Sequence, residues 1–129
     1  MTRGETSRGP YSAYVSKLIN AAVVASEEKL GLDTVVLDLR GLVDAFDALV
    51  ITSGRNDRQV RAITDEVERL VGLALDASPI RVEGLGDAEW VALDYGDVIV
   101  HVFDESAREY YDLEHLWSAA PALRSQPAR

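Results

Sequence analysis

The side chains best suited to chemistry in this sequence are a group of aspartates, a serine–glycine turn and a histidine. Asp38, Asp44 and Asp47 precede Ser53-Gly54, and paired carboxylates can hold magnesium for phosphoryl transfer. A nucleotide-transferring enzyme needs two acidic residues that alternate on one strand after such a turn. Here the alternate partner of Asp38 is Arg40, and Ser53-Gly54 leads into a predicted helix. We therefore expect structural or surface carboxylates and keep a nucleotide-binding or nucleotidyltransferase-type enzyme as the alternative function.

Two other features, residues 53–56 and His101, could serve either structure or chemistry. The segment Ser53-Gly54-Arg55-Asn56 lacks both the Walker spacing and the three-glycine dinucleotide pattern, which favours a turn and helix cap over a phosphate site. His101 is a candidate general base, but its predicted neighbour is Trp90 and its hairpin holds no serine or cysteine. A satisfied or partner-contacting histidine is therefore favoured. The chain has no cysteine and two histidines, which excludes thiolate zinc sites, cysteine nucleophiles and a histidine-rich metal cage. We expect no catalytic residue, metal or cofactor.

The stretch that positions His101, residues 90–103, predicts a β-hairpin. β-Branched and aromatic residues flank Tyr95-Gly96, a two-residue turn that pairs Trp90 with His101 and Asp94 with Asp97. Alternation places only apolar residues on one face: Val91, Leu93, Val98, Val100 and Val102. The other face is mixed: Trp90, Ala92, Asp94, Asp97, Ile99 and His101. We expect the first face to be core and the second to contact a partner.

The elements around this hairpin predict an α/β fold. Apolar spacing predicts helices over residues 11–30 and 57–74, with Gly31 ending the first in the left-handed conformation. Strands are predicted over residues 34–39, 48–52 and, at a sheet edge, 80–82. Short helical turns over residues 105–111 and 113–117 follow, packed by Tyr110, Tyr111, Leu113, Leu116 and Trp117. The result is a single α/β domain over residues 11–121, a mixed β-sheet of about five strands with helices on one face, between flexible tails at 1–10 and 122–129.

Composition narrows the choice of partner. The 129 residues include 22 acidic and 13 basic side chains, and the net charge of −9 opposes phosphate backbones. Direct sequence-specific nucleic-acid binding is therefore not expected, and a basic protein is better matched, although solubility alone would also explain the acidity. No apolar run approaches the roughly 18–20 residues of a membrane span, and the first residues lack a signal-peptide core. We expect no membrane association and a cytoplasmic location.

Ordered blocks within residues 35–121 resemble the bacterial ribosomal silencing factors, also called Iojap-like proteins. The blocks are VLDLRGL at 36–42, SG at 53–54, DRQVRAI at 57–63, EG at 83–84, WVALDYGDVIVHVF at 90–103 and REYYDLEHLW at 108–117. The resemblance implies a nucleotidyltransferase-like fold without the active site. It also implies a nonenzymatic translational repressor, which binds the large ribosomal subunit through its protein fourteen. Such a repressor blocks joining of the small subunit during nutrient limitation or stationary phase.

The resemblance also implies which residues bind. Family contacts fall on the open sheet face and map onto Trp90, Ala92 and Asp94, with Ile99 and His101 as neighbours in the hairpin. The chain departs from the family pattern at Ala48-Leu49, often an aromatic pair, at Arg55-Asn56, often Asn-Ser, and at Ala92, usually a larger apolar residue. An apolar patch around Trp90 also leaves open a homodimer when the partner is absent.

Overall fold

The computed structural model describes residues 9–124, which form one six-stranded sheet and four helices. In chain order they are α1 (Ala13–Glu28), β1 (Leu32–Asp38), β2 (Ala48–Gly54), α2 (Asp57–Leu75), β3 (Arg81–Glu83), β4 (Trp90–Asp94), β5 (Val98–Asp104), α3 (Glu105–Tyr111), α4 (Leu113–Leu116) and β6 (Ala122–Arg124). No helix within residues 9–124 is long and apolar enough to cross a membrane.

The sheet is mixed and has the strand order β3-β4-β5-β2-β1-β6. β2 and β5 pair in parallel at its centre, and every other neighbouring pair is antiparallel. The predicted α/β class is confirmed, but the sheet has six strands where about five were expected. Residues 122–124, predicted as part of a tail, pair with β1 as β6. A three-residue strand is too short for an alternation pattern in the sequence, and only pairing with β1 defines it. The rest of the two predicted tails, residues 1–8 and 125–129, lies outside the described residues.

The long helices follow the predicted positions and owe their ends to local capping. Ser12 caps α1 by accepting a hydrogen bond from the Val15 N–H at 3.2 Å. Asn56 caps α2 by accepting from the Gln59 N–H at 2.9 Å, as expected of a turn-and-cap segment. The predicted end of α1 was wrong in detail, because Leu30 rather than Gly31 takes the left-handed conformation, with φ 62°. Gly31 is needed for close packing instead, since a Cβ there would collide with the Thr52 hydroxyl.

The two faces of the sheet are covered unequally. α1 and α2 cover one face through fully buried residues: Leu18, Val60, Ile63, Val67 and Val71. The predicted core residues of the hairpin, Val91, Leu93, Val98, Val100 and Val102, all lie in this cluster. On the opposite face, the short helices and the residues that follow them supply a smaller set against Leu49, Ile51 and Phe103: Ala107, Leu113, Trp117 and Ala120. The expectation of helices on one face therefore holds for the two long helices, while α3 and α4 cover part of the other.

The hairpin forms, but its predicted register was wrong by two residues. The Tyr95 N–H donates to the Val98 carbonyl at 2.9 Å, so the turn is Gly96-Asp97 and Trp90 lies opposite Phe103. Hairpin turns of this length need positive φ at the first central position, which Gly96 adopts at 90° and tyrosine resists. Because side chains alternate with a period of two, a slip of two residues leaves every paired strand residue on its predicted face.

The packing of the hairpin on α2 leaves one polar atom without a partner. The Tyr95 hydroxyl is buried and has no hydrogen bond within the described residues, and burial raises the pKa of this phenol. An unsatisfied buried hydroxyl destabilises the folded state.

We expect Tyr95→Phe to raise the free energy of unfolding by about 1 kcal/mol in urea denaturation. Tyr110→Phe, at an exposed phenol, should change nothing, and a less stable Tyr95→Phe protein would contradict the prediction.

Candidate functional site

The open face of the hairpin forms a concavity of about 430 Å³, referred to below as the concave site. Its lining consists of Glu83, Gly84, Trp90, Ala92, Asp94, Ile99 and His101. All five residues predicted to bind a partner are therefore brought together: Trp90, Ala92, Asp94, Ile99 and His101. Asp97, predicted on the same face, lies in the turn instead and does not line the concavity.

Glu83 and Gly84 belong to the edge strand β3 and its loop, and sequence reasoning did not assign them to the site. β3 pairs with β4 so that Glu83 lies opposite Ala92, which lies opposite His101 on β5. Gly84 has φ 91°, and a Cβ at this position would collide with the Trp90 carbonyl oxygen. Glycine is therefore required for the chain to close this side of the site. The one sequence signal for these residues was that they form one of the short blocks, EG at 83–84, on which the family resemblance is based.

Trp90 is held in one orientation by contacts on several sides. Its indole Nε1–H donates a hydrogen bond to Nδ1 of His101 at 2.8 Å. Its ring stacks on Phe103 and meets Tyr111, each with centroids 4.9 Å apart. The Trp90–His101 pair joins diagonal positions of the hairpin, which are within reach of aromatic side chains. This arrangement fixes the wall of the concave site before any ligand arrives.

His101 is a neutral hydrogen-bonding residue in this setting. Burial lowers its pKa from 6.5 to about 4. Because Nδ1 accepts from Trp90, the proton of the neutral ring is on Nε2. No residue of the described range accepts a hydrogen bond from Nε2. The seven lining residues include no serine, threonine, cysteine or lysine, and the polar groups they present are an indole, an imidazole and two carboxylates.

The charges of the concave site are acidic and lie at its rim. The Asp94 carboxylate accepts from the Gly96 N–H at 2.8 Å and lies 3.5 Å from the Arg81 guanidinium, with both side chains partly open to solvent. Glu83 is exposed and forms no ion pair within the described residues. The floor, Ala92 and Ile99, is apolar. The site therefore combines an apolar floor with two carboxylates at the edge.

The aspartates considered for catalysis lie elsewhere. Asp38 is buried in line with Val36, on the face of the sheet that carries α1. Its carboxylate binds the Arg40 guanidinium with contacts of 2.8 and 3.0 Å, and Arg40 also donates to the Gly9 and Pro10 carbonyls. Asp38 is thus part of a clip that holds residues 9–11 against the end of β1. No group of three or more His, Asp or Glu residues within 9–124 is placed to hold a metal.

Comparison with known proteins gives the family. A family model described as "ribosomal silencing factor during starvation" matches residues 12–129. The chain belongs to the ribosomal silencing factor family. The silencing factor of Bacillus subtilis (strain 168) is 38% identical over 107 residues, covering 81% of this chain and 87% of that protein.

Solved structures agree with the family assignment. A crystal structure of a protein from Chromobacterium violaceum has a TM-score of 0.77 at 32% identity and covers 88% of this chain and 90% of that one. One from Bacillus halodurans has a TM-score of 0.72 at 35% identity and covers 84% and 97%. As a member of the family, this chain is a non-enzymatic factor that binds the large ribosomal subunit and blocks subunit association under starvation. The alternative of a nucleotide-transferring enzyme is therefore set aside.

The buried histidine makes the stability of this silencing factor depend on pH. Since the folded state lowers the pKa of His101 to about 4, the stability that neutral His101 provides is fully present above pH 6.5 and is lost as the pH falls towards 4. Between pH 7 and pH 5 this amounts to on the order of 2 kcal/mol. We expect His101→Gln to show a correspondingly smaller loss in urea denaturation at the two pH values.

The matched control for that experiment is His115→Gln, which removes an exposed histidine on α4. It should lose as much stability as the parent. Equal losses for the parent and His101→Gln would show that burial does not lower the pKa of His101 in the folded protein.

Proposed function

We propose that this silencing factor binds protein fourteen of the large ribosomal subunit through the concave site. The observation that supports this most strongly is the convergence of Trp90, Ala92, Asp94, Ile99 and His101 on one open concavity. A domain of this size placed on the joining face excludes the small subunit by its volume alone, so that silencing requires affinity and no chemistry.

The chemistry of the site supports a basic protein partner. The apolar floor of Ala92 and Ile99 suits the stem of a large side chain, and Glu83 and Asp94 at the rim suit a positive charge. The Nε2–H of His101 offers a donor for a carbonyl or hydroxyl oxygen of the partner. Trp90 is already oriented, so binding does not have to order its rotamer. Tryptophan in a fixed setting of this kind is typical of binding hot spots.

Two further expectations belong to this proposal. When the ribosome is absent, burial of the apolar floor would favour a homodimer, whereas the net charge of −9 on each chain would oppose it. A concentration series in analytical ultracentrifugation measures which effect dominates. A cytoplasmic location is part of the same proposal and rests on the similarity to bacterial silencing factors.

Filling the concave site tests the proposal most directly. Ala92→Arg places a long side chain on the floor and adds a charge of the partner's sign, without removing an existing contact. We expect it to reduce affinity for purified large subunits by about 100-fold, equivalent to about 2.7 kcal/mol, in a binding titration. The same variant should no longer co-sediment with large subunits in a sucrose gradient.

Ala74→Arg is the matched control, because Ala74 is exposed on α2, in the helix layer on the other face of the sheet. It introduces the same charge and should bind like the parent. If both arginine variants bind equally well, the partner contacts another surface. Repeating the titration with isolated protein fourteen then tests whether that protein is the partner within the subunit.

The Asp38 clip should affect folding and leave silencing intact. Asp38→Asn weakens the buried ion pair with Arg40 and should lower the free energy of unfolding by about 3 kcal/mol. Because Asp38 lies on the opposite face of the sheet from the concave site, the folded variant should still bind large subunits. Thermal melts and subunit binding on the same sample measure both effects. Loss of binding by a folded Asp38→Asn protein would show that the ribosome-binding surface does not lie at the concave site.

A further inference from the structure

α3 and the turn after it expose aromatic and apolar surface that the sequence predicted to be packed. Tyr110 is 81% exposed, Tyr111 is 53% exposed and Leu116 on α4 is 69% exposed. Scattered exposed apolar residues are ordinary on protein surfaces, but these three fall within seven consecutive residues. A contiguous apolar patch with a polar rim is typical of an interaction surface.

The two tyrosines of this group are physically continuous with the concave site. The Tyr111 ring lies 4.9 Å from the Trp90 ring, and the Tyr110 ring meets Tyr111 edge-on at 5.1 Å with an interplanar angle of 87°. Trp90, Tyr111 and Tyr110 thus form an aromatic ridge that runs from the buried wall of the concave site out to solvent. A partner seated in the concave site would meet this ridge at its border.

The charges of α3 indicate what kind of side chain the ridge accepts. Its one basic residue, Arg108, points inward: the guanidinium donates to the Leu32 and Asp33 carbonyls at 2.9 and 2.7 Å and pairs with Glu114. Glu105, Glu109 and Asp112 are exposed, and none of them forms an ion pair within the described residues. The outer surface of α3 therefore combines aromatic rings with uncompensated carboxylates.

An arginine side chain fits this combination better than the other occupants of aromatic surfaces. A guanidinium stacks on a tyrosine face and pairs with carboxylates at the same time. A nucleobase would also stack, but its phosphates would meet the carboxylates. A second copy of this chain would bring another net charge of −9 to an already acidic surface.

We propose that Tyr110 and Tyr111 form a second recognition surface, next to the concave site, that binds an arginine side chain of the same protein partner. The proposal rests on the proposed function for the identity of that partner. The preference for arginine can be tested without the ribosome, because the aromatic and acidic groups belong to this chain.

The first experiment uses no ribosome. The ¹⁵N-labelled protein is titrated with hexa-arginine, hexa-lysine and a uridylate hexamer, and amide shifts are followed by NMR. Hexa-arginine should shift the amides of residues 109–112 at concentrations several-fold below those needed for hexa-lysine, because lysine cannot stack. Tyr110→Leu should remove that preference, and Tyr110→Phe should keep it. Equal shifts with both peptides, or larger shifts with the uridylate, would overturn the proposal.

The second experiment measures affinity for purified large subunits. Tyr110→Leu should weaken binding about tenfold, Tyr110→Phe should not, and Tyr14→Leu, at an exposed tyrosine on α1, is the control for loss of an exposed ring. If Ala92→Arg abolishes binding while Tyr110→Leu binds like the parent, the ridge proposal fails and the proposed function stands. If Tyr110→Leu weakens binding while Ala92→Arg does not, the ridge is the contact and the concave site is not.

Discussion

The structure depends on the central strand β2, whose seven residues are all buried. A strand in this position must be covered on both faces and paired on both edges, because its backbone and side chains have no access to water. β5 supplies one edge in parallel and β1 the other in antiparallel orientation. The long helices α1 and α2 cover one face, and the chain has to return after β5 to cover the other. Burial of β2 therefore depends on β5 and on the segment that follows it.

The uneven cover of the two faces creates the concave site. α3 and α4 are short and cover the second face only over β1, β2 and the end of β5. The part of that face formed by β3, β4 and the start of β5 stays open, and its residues line the concavity. At the boundary between the covered and open parts lies Trp90, which stacks on Phe103 and Tyr111 and donates to His101. The contacts at the edge of the apolar cluster under α3 and α4 thus also hold the wall of the concave site rigid.

The acidic surface follows from how the arginines are used within the chain. Several arginines form contacts within the chain: Arg40 holds residues 9–11 and pairs with Asp38, the exposed Arg69 pairs with Glu66 on α2, and Arg108 ties α3 to the start of β1. Their positive charge is thereby neutralised or turned inward. Carboxylates such as Glu83, Glu105 and Glu109 remain outside. An acidic surface around an apolar floor is the consequence, and it is complementary to a basic partner.

The sequence by itself determined the α/β class, the positions of α2, α3 and the hairpin, and the two faces of that hairpin. Alternation and helical spacing are local properties, so Val91 and Val100 could be assigned to the core and Trp90 and His101 to the open face from their order alone. The turn was placed one residue early, yet the face assignment survived because a slip of two residues preserves alternation. The exposure of Tyr110, the pairing of β6 and the contribution of Glu83 and Gly84 were decided only by the tertiary structure. Each of these features depends on which residues, distant in sequence, pack beside the segment. A local sequence pattern carries no information about such long-range contacts.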